Sequence, residues 1–77
     1  MPEQVQLRKA VVAWTDEAGP VTIKTVQDAL RWIEKHVADD PKWARTRVAL
    51  QEAQVVGSLR KVRAATRAFE EAIGRYP

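Results

Sequence analysis

Residues 21–30, VTIKTVQDAL, decide the fold because a strand pattern changes into a helix pattern within them. Val21 and Ile23 alternate with polar residues, and their β-branched side chains favour a strand. Thr25 then offers a hydroxyl at a helix N-cap, and Asp28 offers an acid three residues later, a pattern that resembles a capping box. The segment therefore predicts a strand that leads directly into a capped helix.

The preceding residues predict the other strand of a β-hairpin. Val5, Leu7 and Val11 fall on one side of an alternating pattern. Residues 15–20, TDEAGP, contain the residue types that form turns. A hairpin is expected at about residues 5–24. Apolar residues between positions 5 and 14 also recur at helical spacing, so a helix over these residues is the alternative to the first strand.

Three helices are expected after the hairpin, at about residues 26–38, 41–56 and 58–73. Asp40 fits the N-cap of the second helix, and Gly57 fits its C-cap. The order is therefore ββααα, and a chain of 77 residues has room for a single small α+β domain.

The second helix is apolar on two separate arcs of its helical wheel. A helix of this kind is either central in its fold or shared with a second subunit. The arc formed by Ala44, Val48 and Val55 is the candidate self-association face. The arc expected in the core holds Trp43, Ala49, Leu50, Ala53 and Val56.

Basic residues are concentrated between residues 42 and 67, where seven Lys and Arg residues accompany one acid, giving +6 against +3 for the whole chain. The candidate interaction face consists of Arg60, Arg63, Arg67, Lys42, Arg45 and Arg47. The first three form one stripe of the third helix, opposite an expected buried face that begins at Leu59. A solvated helix face is the favoured interpretation of such a stripe. Phosphate binding is the alternative, since arginines repeated along a rigid element suit it.

Charges on the third helix oppose its dipole. Arg60 lies in the first turn and Glu71 near the last, and each misplaced exposed charge costs about 0.3–1 kcal/mol. Ion pairs with an antiparallel second helix would offset this cost. The expected pairs join Glu70 and Glu71 to Lys42 and Arg45, and Arg60 or Arg63 to Glu52.

No pattern in the sequence indicates catalysis or a cofactor. The chain has no cysteine, which excludes disulfides and thiolate chemistry. His36, the only histidine, with Asp39 or Asp40 gives a weak metal-site signal, and a helix-end role is the preferred interpretation. No nucleophile elbow, phosphate loop or metalloprotease motif occurs. The protein is expected not to be an enzyme and to hold neither cofactor nor metal.

The tryptophans give little support to a nucleic-acid platform. Trp14, Trp32 and Trp43 do not interleave with the arginine stripe, as a stacking groove requires. Trp32 and Trp43 are expected in the core or at its edge. A helix-turn-helix around Gly57 is disfavoured because the preceding helix is long for that motif.

No membrane segment is expected. No stretch approaches about 18 consecutive apolar residues, and the polar start, MPEQ, shows no signal-peptide pattern.

Three segments resemble one family of small bacterial proteins. Residues 21–30, with ALQEA at 49–53 and ATRAFEEA at 65–72, are similar to the domain of unknown function 982 family. The resemblance covers about residues 11–76. It implies a hairpin with helices and a cytoplasmic bacterial setting, and it implies no activity. The sequence departs from the family near Ala53, where members often carry Cys, and near Thr66, where they often carry Arg.

The sequence therefore predicts a non-catalytic protein-interaction module that binds a protein partner or forms a homo-oligomer. Its two-faced second helix and small size favour this function. The alternative is a weak nucleic-acid-binding protein that uses the basic face of its second and third helices.

Overall fold

The computed structural model describes residues 5–15, 17 and 19–75. It confirms the α+β order of a hairpin followed by three helices, and the first segment is a strand rather than the alternative helix. The elements are strand β1 (Gln6–Thr15), strand β2 (Gly19–Thr25), helix α1 (Val26–His36), a 3-10 turn (Pro41–Trp43), helix α2 (Ala44–Val56) and helix α3 (Leu59–Arg75).

The two strands form an antiparallel hairpin with one irregularity. Val11 lies opposite Ile23, and Trp14 lies opposite Pro20. The register shifts between Gln6 and Val11. Because side chains alternate across a strand, one face of the hairpin turns toward the helices and the other toward solvent.

The capped start of α1 forms as the sequence predicts. The backbone N–H of Asp28 donates to Thr25 Oγ1 over 3.0 Å. The helix ends at His36, two residues before the expected end, because Val37 leaves the helical region at φ −135°.

The second helical segment begins differently from the prediction. Asp40 Oδ1 accepts a hydrogen bond from Lys42 N–H over 2.9 Å, as an N-cap. The first turn after this cap, Pro41–Trp43, is 3-10, and the α-helical part begins only at Ala44. The cap therefore belongs to a tight turn, and Trp43 in this turn is buried.

A left-handed glycine separates α2 from α3. Gly57 has a φ of 69°, and its N–H donates to the Ala53 carbonyl over 2.8 Å. Ser58 Oγ accepts from Lys61 N–H over 3.3 Å at the start of α3. That helix continues through Gly74 to Arg75, two residues beyond the expected end.

The core centres on aromatic rings from the helical layer. Phe69 is fully buried, and Trp32 and Trp43 are almost completely buried, as the sequence predicts. The ring centroids of Trp32 and Trp43 lie 5.5 Å apart, and those of Phe69 lie 6.1 and 6.3 Å from them. Tilted and edge-on pairs at these distances are favourable beyond the area that they bury.

Two residues expected in the core lie at the surface instead. Val56 is 59% exposed and Leu59 is 55% exposed. Both flank the Gly57 turn. They lie beyond the buried residues nearest to that turn, which are Ala53 in α2 and Val62 in α3.

A threonine on α3 binds the backbone of β1. Thr66 Oγ1 accepts from Arg8 N–H over 3.0 Å and donates to the Val62 carbonyl over 2.8 Å. Thr66 is buried, so its hydroxyl supplies a partner for this strand donor at the contact between β1 and α3.

We expect Thr66→Val to lower the free energy of unfolding by about 1–3 kcal/mol, because the Arg8 N–H is left without its acceptor in a partly buried site. Urea denaturation measures the change. The exposed Thr22 provides the control, and Thr22→Val should change stability by less than about 0.5 kcal/mol. Equal effects of the two substitutions would show that the hydroxyl bridge contributes nothing.

The two glycines of the helical layer should respond oppositely to alanine. Gly57→Ala should destabilise the fold by about 1–2 kcal/mol, because a Cβ disfavours the left-handed region. Gly74→Ala should stabilise it by up to about 1 kcal/mol, because Gly74 is helical with no atom within 4 Å of an added Cβ. Thermal unfolding compares the two variants, and a stabilised Gly57→Ala variant would contradict the left-handed conformation of Gly57.

Candidate interaction surfaces

The outward side of α2 carries the predicted self-association face. Ala44, Val48 and Val55 are exposed, with Val48 at 51% and Val55 at 85%. Leu50 and Ala53, on the opposite side, are fully buried. The buried side fixes the helix in the fold, so the aliphatic side chains on the outer side are presented by a rigid element.

The spacing of this face matches a helix-pairing seam. Together with the neighbouring Gln51, the residues of this face form one row along the helix. The row has intervals of four, three and four residues: Ala44, Val48, Gln51 and Val55. This is the spacing at which side chains of one helix fit between those of another in a coiled coil. Gln51 is the single polar member of the row and is also exposed.

The outward side of α3 carries the three predicted arginines. Arg60, Arg63 and Arg67 are all exposed. The buried side of the same helix includes Val62 and Phe69. The arginines therefore point away from the core along one helix face, as the sequence predicts.

An open, shallow groove follows this face, and all the residues found to line it belong to α3. Its apolar lining consists of Leu59, Ala64 and Ala68. The three arginines line it with their side chains, and Glu71 lines it toward the C-terminal end. The described residues of the groove thus combine an apolar lining with cations along most of its length and one carboxylate.

The ion pairs of α3 differ from those expected. Glu70 pairs with Lys9 of β1, because α3 packs against that strand. Glu71 pairs with Arg67 along the helix, at 3.3 Å. The expected pair of Glu52 with Arg60 or Arg63 does not form among the described residues, and Glu52 pairs instead with Lys61 at 2.9 Å.

Two arginines of the stripe have no counter-charge among the described residues. Within residues 5–15, 17 and 19–75, no carboxylate forms an ion pair with Arg60 or Arg63. Arg60 lies in the first turn of α3, where the helix dipole opposes a positive charge. The free protein therefore carries repulsion at this end of the groove that an anion would relieve.

The other three members of the predicted basic face are not gathered around this groove. Arg47 donates from Nη2 to the Ala38 carbonyl over 2.9 Å, which directs it toward the end of α1. Lys42 and Arg45 are exposed and lie in no ion pair among the described residues. The six cations thus do not form one continuous site.

The histidine region shows no metal-binding arrangement in the described part of the chain. No group of three or more His, Asp or Glu residues there is placed to hold an ion. The His36 ring instead packs on Trp32, with centroids 5.1 Å apart.

Sequence reasoning missed two surface features. Val12 and Trp14 are 56% and 54% exposed on the outer face of the hairpin. The alternation along β1 contained that signal, because Val11 and Ala13 take the inward positions. The apolar lining at Ala64 and Ala68 was not predicted, because small side chains occur at both buried and exposed positions of a helix.

No protein-family model matches the chain, and no match was found among curated proteins or solved structures. The family resemblance drawn from the sequence therefore stays a prediction. Within the described residues, no helix has the length and apolar character needed to cross a membrane.

We expect Arg60→Gln to raise the free energy of unfolding by about 0.3–1 kcal/mol at low ionic strength, because it removes a positive charge from the N-terminal turn of α3. High salt should abolish the gain by screening. Arg63→Gln is the matched control and should show a smaller gain, because the dipole effect falls off beyond the first turn. Urea denaturation at two salt concentrations measures both, and destabilisation by Arg60→Gln would show that its side chain has a structural partner.

Proposed function

We propose that the protein is a non-catalytic interaction module that self-associates through the outward face of α2. The observation that carries this proposal is the exposure of Ala44, Val48 and Val55 in a helix whose other side is buried. Aliphatic side chains at these spacings gain from burial against a second helix, at about 25 cal/mol per Å² of apolar surface.

The size of the face predicts weak association. A helix of 13 residues is about 20 Å long, and a single seam along it is smaller than the 1,200 Å² or more of a stable interface. A dissociation constant in the micromolar to millimolar range is therefore expected. Two-fold pairing of the same face on each copy is the simplest arrangement, because it closes the assembly as a dimer.

Its non-catalytic character rests on the residues available. The chain has no cysteine and one histidine, and that histidine packs against Trp32. Among the described residues that line the groove on α3, Glu71 is the one carboxylate, and it is held in an ion pair with Arg67. The resemblance to the domain of unknown function 982 family supports a cytoplasmic bacterial setting.

Weak nucleic-acid binding is the second candidate, supported by Arg60 and Arg63, which form no ion pair with any described residue. Phosphate binding by several cations would give an affinity that falls steeply with salt. Glu71 lies in the same groove and would repel phosphates, and no aromatic residue in the described part of the chain lines the groove for bases to stack on. The protein-interaction function is therefore preferred.

Sedimentation equilibrium tests the self-association. The protein should show a concentration-dependent increase in mass, and Val48→Lys or Val55→Lys should weaken association at least about tenfold, because each places a charge in the seam. Val12→Lys, at an equally exposed valine on the hairpin, is the control and should associate as the parent protein does. A strict monomer at about 500 µM would refute self-association, since even millimolar affinity would show there.

A further inference from the structure

We propose that the groove along α3 is a binding site for an acidic amphipathic helix of another protein. The site consists of Arg60, Arg63 and Arg67 beside Leu59, Ala64 and Ala68. It lies on a different helix from the self-association face and does not depend on it.

The charge of the groove defines the chemistry of the partner. Arg60 and Arg63 form no ion pair within the described part of the chain, whereas Lys61 and Arg67 do. An acidic group near Arg60 also meets the N-terminal end of α3, where the helix dipole attracts negative charge. Both effects favour an anion at the start of the groove.

The spacing of the arginines matches the rise of a second helix. Residues 60 and 67 are about 10 Å apart along the axis, at 1.5 Å per residue. A second helix with acids at positions i, i+3 and i+7 has the same rise, so its carboxylates align with all three guanidinium groups. Because Ala64 and Ala68 are small, its backbone can approach closely along this length.

The remaining lining completes the expected pattern of the partner. Leu59 is 55% exposed and offers an apolar contact at one end. Glu71 lies at the other end and favours a base at i+11. If the partner helix runs parallel to α3, its acids lie in its first turns and its base lies in its last turn. The dipole of the partner helix also favours this order of charges.

A second copy of this chain does not suit the groove. Two-fold antiparallel pairing of α3 can bring Arg60 near the partner copy's Glu71. It also brings the Arg63 and Arg67 side chains of both copies together at the centre, where four positive charges repel one another. The groove therefore fits a partner of opposite charge rather than itself.

Fluorescence anisotropy with designed peptides tests the site. The matched probe is a labelled helical Ala/Leu-based peptide with Glu at i, i+3 and i+7 and Lys at i+11. The first control has the same composition with the acids distributed around the helix. The second control is an oligothymidine of similar length, which tests for general polyanion binding.

We expect the matched peptide to bind the protein at about 20 mM salt and to bind at least about tenfold more weakly at about 300 mM, because the contacts are exposed ion pairs. The double variant Arg60→Gln/Arg63→Gln should lose about tenfold in affinity. Lys24→Gln/Lys35→Gln, with the same loss of charge elsewhere on the exposed surface, should not. Circular dichroism verifies that each variant is folded.

Three results would overturn the proposal: no binding of the matched peptide at low salt, equal binding of the peptide with redistributed acids, or tighter binding of the oligothymidine. Val48→Lys separates this test from that of the proposed function. It should weaken self-association and leave peptide binding unchanged.

Discussion

The fold depends on Phe69 being enclosed by rings from two other segments. Trp32 comes from α1 and Trp43 from the 3-10 turn before α2, so one side chain of α3 ties the three helical segments together. A chain of this size buries a smaller share of its surface than larger domains do, and each large buried side chain therefore carries a larger part of its stability. Removal of Phe69 would remove the contact shared by the whole helical layer.

This internal constraint determines what the outer surfaces can do. Leu50 and Ala53 anchor α2 in the core, and Val62 and Phe69 anchor α3. The outer side of each helix therefore faces solvent in a fixed orientation. One outer side is aliphatic and the other is cationic. The two are separate in chemistry and lie on separate helices, so occupation of one need not block the other.

The hairpin, its capped exit into α1 and the helix order could be predicted from the sequence because each depends on local chemistry. Thr25, Asp40 and Gly57 act within a few residues of their own positions. The ion pairs could not be predicted, because Glu70 meets Lys9 only through the packing of α3 on β1. The surface positions of Val56 and Leu59 were missed for a related reason: periodicity identifies a face, but it does not show where along that face the covering elements end.

The bonds at the start of β1 also bear on aggregation. A two-stranded sheet exposes backbone groups along its edges, and such edges can recruit strands from other molecules. Here Arg8 N–H donates to Thr66 Oγ1 over 3.0 Å, at the contact between β1 and α3. The register shift and the charged Lys9 lie in the same part of the strand. The Arg8 donor is therefore not available to a further strand, and the irregular register and the charge disfavour strand addition along this part of β1.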